Sequence, residues 1–337
     1  MSDLDGTQVV VVGGGFGGLS AACYLADAGA DVRVLEKNEQ FGGRASRLET
    51  EGFKFDMGPS WYLMPDVFER FFAKFDKQPS DYYELEQLDP HYRIFFKDGD
   101  SCDARGDHEY MRDLFESYEP GASEAFDKYL ETSQRHYETA MEKFVYEDRS
   151  QLRDWIDPDV MRAAPIGLRL IGSMQSHVEN YFDHPKLQQI MQYTLVFLGG
   201  APHNTDAMVD LGEELGVTYE TDSEVTGISR SYDGFVVETA DDVSRPDRVV
   251  VNADYAHAER ELLPEHERQY DDDYWESRTY APSAFLIYLG VEGDVEELAH
   301  HTLVLPTDWD EHFEQIFDAP GWPEDPAYYV CVPSKTD

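Results

Sequence analysis

Residues Val9–Val12 form an unbroken apolar run that leads directly into Gly13-Gly14-Gly15-Phe16-Gly17-Gly18, and this junction constrains the fold more than any other part of the chain. A short β-branched run ending at a glycine-rich turn reads as a buried strand turning into a helix. In the spacing Gly13-x-Gly15-x-x-Gly18 each glycine has a separate job: Gly13 permits the tight turn, Gly15 lets a pyrophosphate approach the backbone, and Gly18 lets the helix pack on the strand. The helix start then offers unpaired N–H groups and the positive end of its dipole to an anion. Leu19–Ala28, rich in Ala and Leu, supplies the helix, Gly29 stops it, and Val32-Arg33-Val34-Leu35 gives the next strand. Glu36 falls where an acid that binds a ribose hydroxyl belongs. An acid there favours an unphosphorylated ribose, hence FAD or NAD over NADP. The glycine motif alone arises by chance; strand, helix and acid in register make chance a poor account of it.

The choice between FAD and NAD rests on the segment after Glu36. Gly42-Gly43-Arg44 comes within a few residues of that acid, and Gly52-Phe53-Lys54-Phe55-Asp56-Met57 leads into Gly58-Pro59-Ser60. Glu36-Lys37 followed by Gly42-Gly43-Arg44-Ala45 resembles the FAD signature shared by amine oxidases, protoporphyrinogen oxidases and carotenoid desaturases. Phe55-Asp56-Met57-Gly58-Pro59-Ser60-Trp61-Tyr62-Leu63-Met64-Pro65 is similar to the bacterial and archaeal phytoene desaturase branch in particular. Matches continue at Leu88–Arg93, Phe197–Pro202, Val251–Tyr255, Pro282–Phe285 and Ala299–Thr302, so the resemblance spans nearly the whole chain.

The resemblance implies an α/β fold: a discontinuous, Rossmann-like FAD domain of the glutathione-reductase type, joined to an α+β substrate and membrane-contact domain as in amine-oxidase-like flavoproteins. Residues 1–75 and 206–258 would form the first domain, and 76–205 with 259–337 the second. It also implies a cofactor site at Gly13, Gly15, Phe16, Gly17, Gly18, Glu36, Lys37, Gly43, Arg44, Gly58, Pro59, Ser60, Val225 and Asn252. FAD is the expected cofactor.

Composition bears on the setting. The 337 residues carry 69 acidic against 27 basic side chains, a net charge of -42, spread along most of the chain. Such a surface stays hydrated where salt screens its repulsion, so a halophilic, haloarchaeal source is expected. Nucleic acid is not an expected partner, because phosphate contacts need a basic patch. Cys23, Cys102 and Cys331 are isolated, read as small buried residues, and suit a reducing compartment. The N-terminus lacks a basic leader and the Val9 run is too short to span a bilayer.

Further along, Val67, Phe68, Phe71, Phe72 and Phe75 fall at helical spacing, Tyr92–Lys97 reads as a strand before a turn at Asp98-Gly99, and Glu109–Met141 reads as helix broken at Pro120-Gly121, with Ser123 as a cap. Arg248–Asp254 reads as a strand which, in proteins of this type, returns to the nucleotide-binding sheet. Residues 160–178 contain no acid, yet hold Arg162 and Arg169 among apolar side chains, and 184–205 is a second acid-free stretch. Two readings stay open: a helix pair closing the substrate domain, or contact with a lipid interface. The resemblance favours the second, since carotenoid desaturases are peripheral enzymes that draw a polyene from the membrane. A cytoplasmic protein held at the cell membrane is expected, with quinone or oxygen as electron acceptor.

Such a substrate has no charge to grip, so the protein's task is an apolar channel, with redox chemistry left to the flavin. Trp61, Tyr62, Phe197, Phe285 and Tyr288 are candidates to line it, or simply to fill the core. No catalytic acid or base stands out. His300 and His301, if neighbours on a strand, would face opposite ways and could not readily share a metal, so no metal site is expected. Two departures from the family pattern stand out: residues are missing between Thr205 and Asp206, including a Tyr-Pro-x-Gly-Gly element, and the C-terminal flavin-contacting segment is absent. A partial sequence and a shortened relative both account for this. The expected activity is desaturation of a carotenoid such as phytoene or a later intermediate. The alternatives are 3,4-desaturation, isomerisation, amine oxidation, or a flavin-free prenyl-lipid binding protein.

Overall fold

Four consecutive valines leave a strand no side suited to water, and β1 (Gln8–Val12) lies inside a sheet with all four buried. The computed structural model describes residues 4–58, 60–145, 174–193, 203–278, 283–318 and 321–336. The chain divides into two compact units, Met1–Glu86 with Leu198–Glu292, and Gln87–Phe197 with Gly293–Asp337.

In the first unit β1 is followed by helix α1 (Phe16–Asp27) and strand β2 (Asp31–Leu35), then by the hairpin β3 (Arg47–Thr50) and β4 (Phe53–Asp56) and helix α2 (Pro65–Ala73). The second unit then begins with the hairpin β5 (Tyr92–Phe96) and β6 (Ser101–Ala104), α3 (His108–Tyr118), α4 (Ala122–Ala140), α5 (Met174–Glu179) and α6 (Pro185–Gln192). The chain returns to the first unit with α7 (His203–Glu214), β7 (Thr218–Glu220), β8 (Val225–Ser231), β9 (Gly234–Thr239), β10 (Val243–Ser244) and β11 (Arg248–Val251), and to the second with β12 (His301–Leu305) and β13 (Tyr328–Cys331).

The first unit is organised by the sheet β11-β1-β2-β7, in which every neighbouring pair is parallel. Strand alternation sends β1 side chains to two cores. Val10 and Val12 pack with Leu35, Val225, Ile228, Val237 and Leu262, whereas Val9 and Val11 pack with Ala22, Val32, Val34 and Val217. Each valine so buried contributes about 1.5–3 kcal/mol. Leu19 and Cys23 of α1 meet Phe71 and Phe72 of α2 and Ala207, Met208 and Leu211 of α7. The Phe stripe read from the sequence is thus core. β11 returns from more than 200 residues away to pair Val9–Val12 with Arg248–Val251.

The second unit contains the sheet β13-β12-β5-β6. The helix break at Gly121 is a left-handed turn (φ +88°), but Ser123 is not the cap. Glu116 takes that role: its carboxylate accepts from the N–H groups of Gly121 and Ser123 and from the Ser123 hydroxyl. A carboxylate satisfies several first-turn donors at once, where a hydroxyl satisfies one.

Most of the acid-free stretch 160–178, including Arg162 and Arg169, lies outside the described residues, as do residues 194–202 of the second, Phe197 among them. The described part of the second stretch includes α6, which buries Leu187 and Ile190 and spends its apolar face on the core. No helix among the described residues is long and apolar enough to cross a membrane.

Candidate cofactor site

The C-terminal end of β1 and the start of α1 form a cradle whose shape depends on three glycines. Gly13 has φ +98°, and a Cβ there would lie 2.7 Å from the Asn252 carbonyl oxygen. A Cβ on Gly18 would lie 2.1 Å from the Gly13 carbonyl oxygen. These two glycines are therefore required by the protein's own packing. Gly15 is different. Its backbone is ordinary (φ −78°), and a Cβ would come no nearer than 3.4 Å to any atom. The fold itself does not require a glycine there, and its absent side chain leaves the backbone open to close approach by a bound group.

Gly15 is also the N-cap of α1, and it supplies no side-chain cap, nor does the first turn contain an acid. Early N–H groups of the helix therefore meet no carboxylate of their own, the arrangement that receives a phosphate. Lys37 and Arg44 are exposed beside this region and form no hydrogen bond or ion pair among the described residues, in a chain with a large excess of acids to pair with. Two such cations suit an anionic group.

Glu36 is buried at the end of β2. One carboxylate oxygen accepts from the Gly14 N–H at 2.8 Å, and the other from the Asn38 N–H and side-chain amide at 3.0 and 2.6 Å. A carboxylate offers about four acceptor directions, so three bonds leave room for one hydroxyl donor. The loop Gly42-Gly43 closes over the turn: the Gly42 N–H donates to the Gly14 carbonyl at 2.7 Å, and Gly15 and Gly42 form an isolated parallel bridge. Gly58 backs this loop, because a Cβ on it would lie 2.1 Å from the Arg44 carbonyl oxygen. Asn252, just after β11, donates its backbone N–H to Val12 and sets its side chain against Gly15, Gly17 and Gly18.

The structure thus brings Gly13, Gly15, Gly17, Gly18, Glu36, Gly43, Arg44, Gly58 and Asn252 around one turn, with Lys37 adjoining Glu36. Phe16 packs edge-on to Phe68, its ring directed into the core. Val225 is buried against Val10 and Val12, so only its backbone is available to a ligand. Ser60 is half-buried, and Pro59 lies outside the described residues.

Several participants carry no recognisable signal in the sequence. Asn38 shares the Glu36 carboxylate, and the Gln40 side chain pins the Arg47 backbone by two hydrogen bonds of 2.8 and 2.9 Å. The Thr205 hydroxyl donates to the Ala45 carbonyl at 3.2 Å. A cavity of about 150 Å³ beside the loop is lined in part by Gln40, Ala45, Arg47, Thr205 and Asp206. Thr205 could have been suspected only through the resemblance, which expects further residues immediately after it. Its position places that junction against the cofactor loop, within a continuous α7.

Of the channel candidates, Tyr62 stacks on Phe68 and shares a 2.9 Å hydrogen bond with Tyr83, and burial raises both phenols. Tyr288 packs on Phe55, Phe285 is 73% exposed, and Phe197 lies outside the described residues. Trp61 is half-buried.

The expectation that His300 and His301 face opposite ways fails: their ring centroids are 4.4 Å apart. Thr302 explains this, because its hydroxyl bonds both the N–H and the carbonyl of Ala299, folding residues 299–302 into a turn that an extended strand could not make. Strand alternation therefore does not reach His300. Burial, followed by the neighbouring His300, pushes the His301 imidazole down to about 3.

Comparison with known proteins decides the family. The profile of the flavin containing amine oxidoreductase family matches residues 16–327. The chain belongs to this family. As an amine-oxidoreductase-type flavoprotein it has a Rossmann-like FAD-binding fold, and its cofactor is FAD. It is 71% identical to a carotenoid 3,4-desaturase of Haloarcula japonica over 365 aligned positions, covering 100% of this chain and 74% of that one. It is 31% identical to a zeta-carotene-forming phytoene desaturase of Myxococcus xanthus, with 98% and 69% covered, and 30% to a 4,4'-diapolycopene oxygenase of Methylomonas, with 100% and 73% covered. The Haloarcula alignment is longer than the 337 residues here, so that desaturase has residues opposite which this chain has none.

Proposed function

We propose that the chain is an FAD-dependent oxidoreductase that desaturates a carotenoid. The observation that carries this reading is the 71% identity over the full chain to the Haloarcula carotenoid 3,4-desaturase. Within that reading the first unit holds FAD and the second contributes to binding the polyene. Bound FAD supplies the two-electron acceptor that removing two hydrogens from adjacent carbons requires.

The chain's own residues hold and orient that group. The first turn of α1 receives the pyrophosphate, and Gly15 admits it against the backbone. Glu36 accepts a ribose hydroxyl. Asn38 and the Gly14 N–H fix the carboxylate for that role. Lys37 and Arg44 balance phosphate charge at the rim. Gly13, Gly18, Gly58 and Asn252 shape the turn; Phe16, Gly17, Gly43, Pro59, Ser60 and the Val225 backbone complete the set.

The dispersed negative charge supports work in high salt, and a lipid-soluble substrate supports residence at the cytoplasmic face of the membrane, with quinone or oxygen taking the electrons. Among carotenoid activities, introduction of a 3,4 double bond is favoured over early phytoene desaturation by the higher identity to the Haloarcula relative. The test is product analysis after incubating FAD-loaded protein in liposomes, in concentrated KCl, with lycopene and separately with phytoene. Loss of two hydrogens at an end of lycopene, with phytoene unchanged, is expected. Conversion of phytoene alone would move the assignment to the early step.

A further inference from the structure

The proposed desaturation assigns no role to the group formed by His300, His301 and Cys331. Their candidate ligand atoms all lie within 4.8 Å of one another, inside the second unit. We propose that these three residues form a binding site for a borderline transition-metal ion of the Zn²⁺ class.

Three features of the fold bring them together. His301 opens β12 and pairs directly with Cys331 at the end of β13, and directly opposed residues of an antiparallel pair share a face. The Thr302–Ala299 turn swings His300 onto that face, while the Val332 N–H holds the His300 carbonyl at 2.8 Å. Each imidazole also has a hydroxyl partner at one ring nitrogen. His300 Nδ1 lies 2.6 Å from the Thr336 hydroxyl, and His301 Nδ1 lies 2.6 Å from the Tyr329 hydroxyl. A hydroxyl on one ring nitrogen is the support that fixes an imidazole for coordination through the other.

The donor set selects the ion. Two imidazoles and a thiolate favour Zn²⁺ and its neighbours and disfavour Mg²⁺ and Ca²⁺, which take oxygen ligands. Tetrahedral Zn²⁺ with bonds of about 2.0–2.3 Å sets its ligand atoms roughly 3.3–3.8 Å apart. The observed spread closes to that by small side-chain rotations. Three protein ligands leave a fourth position for water. The other two cysteines are poor competitors, since burial pushes the Cys23 and Cys102 thiols up to about 12.

The test uses the full chain with its flavin, purified in concentrated KCl, stripped with chelator and titrated with Co²⁺. Tetrahedral Co²⁺ absorbs to the red of flavin, so the two signals separate. One equivalent of tetrahedral Co²⁺, displaced by Zn²⁺ but not by Mg²⁺, is expected. Cys331→Ser should weaken binding at least ~10-fold and shift the bands, and Tyr329→Phe should weaken it by about 10-fold through the lost support. His301 is buried and its replacement risks the fold, so the half-buried His300→Gln provides the second ligand variant, with a loss of at least ~10-fold. Absence of the tetrahedral signal, or the same signal and affinity in Cys331→Ser and His300→Gln, overturns the proposal.

Discussion

Glu36→Ala should lower FAD affinity by roughly 10- to 100-fold, the equivalent of about 1.5–3 kcal/mol for a lost hydrogen bond to a charged group. Because the carboxylate also caps the buried Gly14 N–H, the same change should cost about 1–3 kcal/mol of stability in the flavin-free protein. Glu36→Gln separates these effects. It keeps an acceptor for Gly14, so most of the stability should return, while the charge-assisted bond to ribose does not. Flavin titration and denaturant unfolding of both variants, in the same salt, read the two quantities. Equal FAD affinity in wild type and Glu36→Ala would mean that the carboxylate serves the turn alone.

Gly15→Val should abolish stable flavin retention, a loss of more than ~100-fold in affinity, while leaving the flavin-free fold nearly intact. The ordinary backbone at Gly15 is the cause: its extended φ and ψ suit a β-branched residue, and a Cβ there makes only a van der Waals contact of 3.4 Å with the Asn252 side chain. The obstruction falls on the bound pyrophosphate instead. Gly18→Val is the contrast, because its Cβ would sit 2.1 Å from the Gly13 carbonyl oxygen and must disrupt the turn itself. Circular dichroism and flavin absorbance together distinguish them: Gly15→Val folded and colourless, Gly18→Val destabilised. A Gly15→Val protein that keeps its flavin would place the cofactor elsewhere.

The cradle was legible in the sequence because its parts are local. Val9–Val12, Gly13–Gly18 and Glu36 lie within one strand-helix-strand unit, where period and turn chemistry dictate geometry. Asn252 was legible only through resemblance, since the pairing of β11 with β1 links residues more than 200 positions apart. Thr205 and Asn38 were missed for a shared reason: their roles arise from contacts that no periodic pattern announces. The Ser123 cap failed because Glu116, seven residues earlier, reached across the loop to the same donors. The histidine pair failed because alternation was applied to a residue standing before the strand, where Thr302 bends the chain.

The Tyr62–Tyr83 pair and the Phe55–Tyr288 contact illustrate the limit of reading substrate sites from aromatic content. Aromatic residues make up 13% of the chain, and these candidates sit in local packing arrangements of their own. A charged substrate would have demanded a matching side chain and so left a signature. A polyene asks only for apolar surface, which the core asks for as well.

Whether FAD held by this cradle takes hydrogens from a carotenoid is tested most directly under anaerobic conditions, with the flavin-loaded protein in KCl, liposomes carrying lycopene, and absorbance as the readout. The flavin band should fall as the polyene absorption moves to longer wavelength, in equal amounts, and Gly15→Val should show neither change. A flavin band that stays constant while the polyene changes, or a polyene that stays unchanged with fully loaded protein, would contradict it.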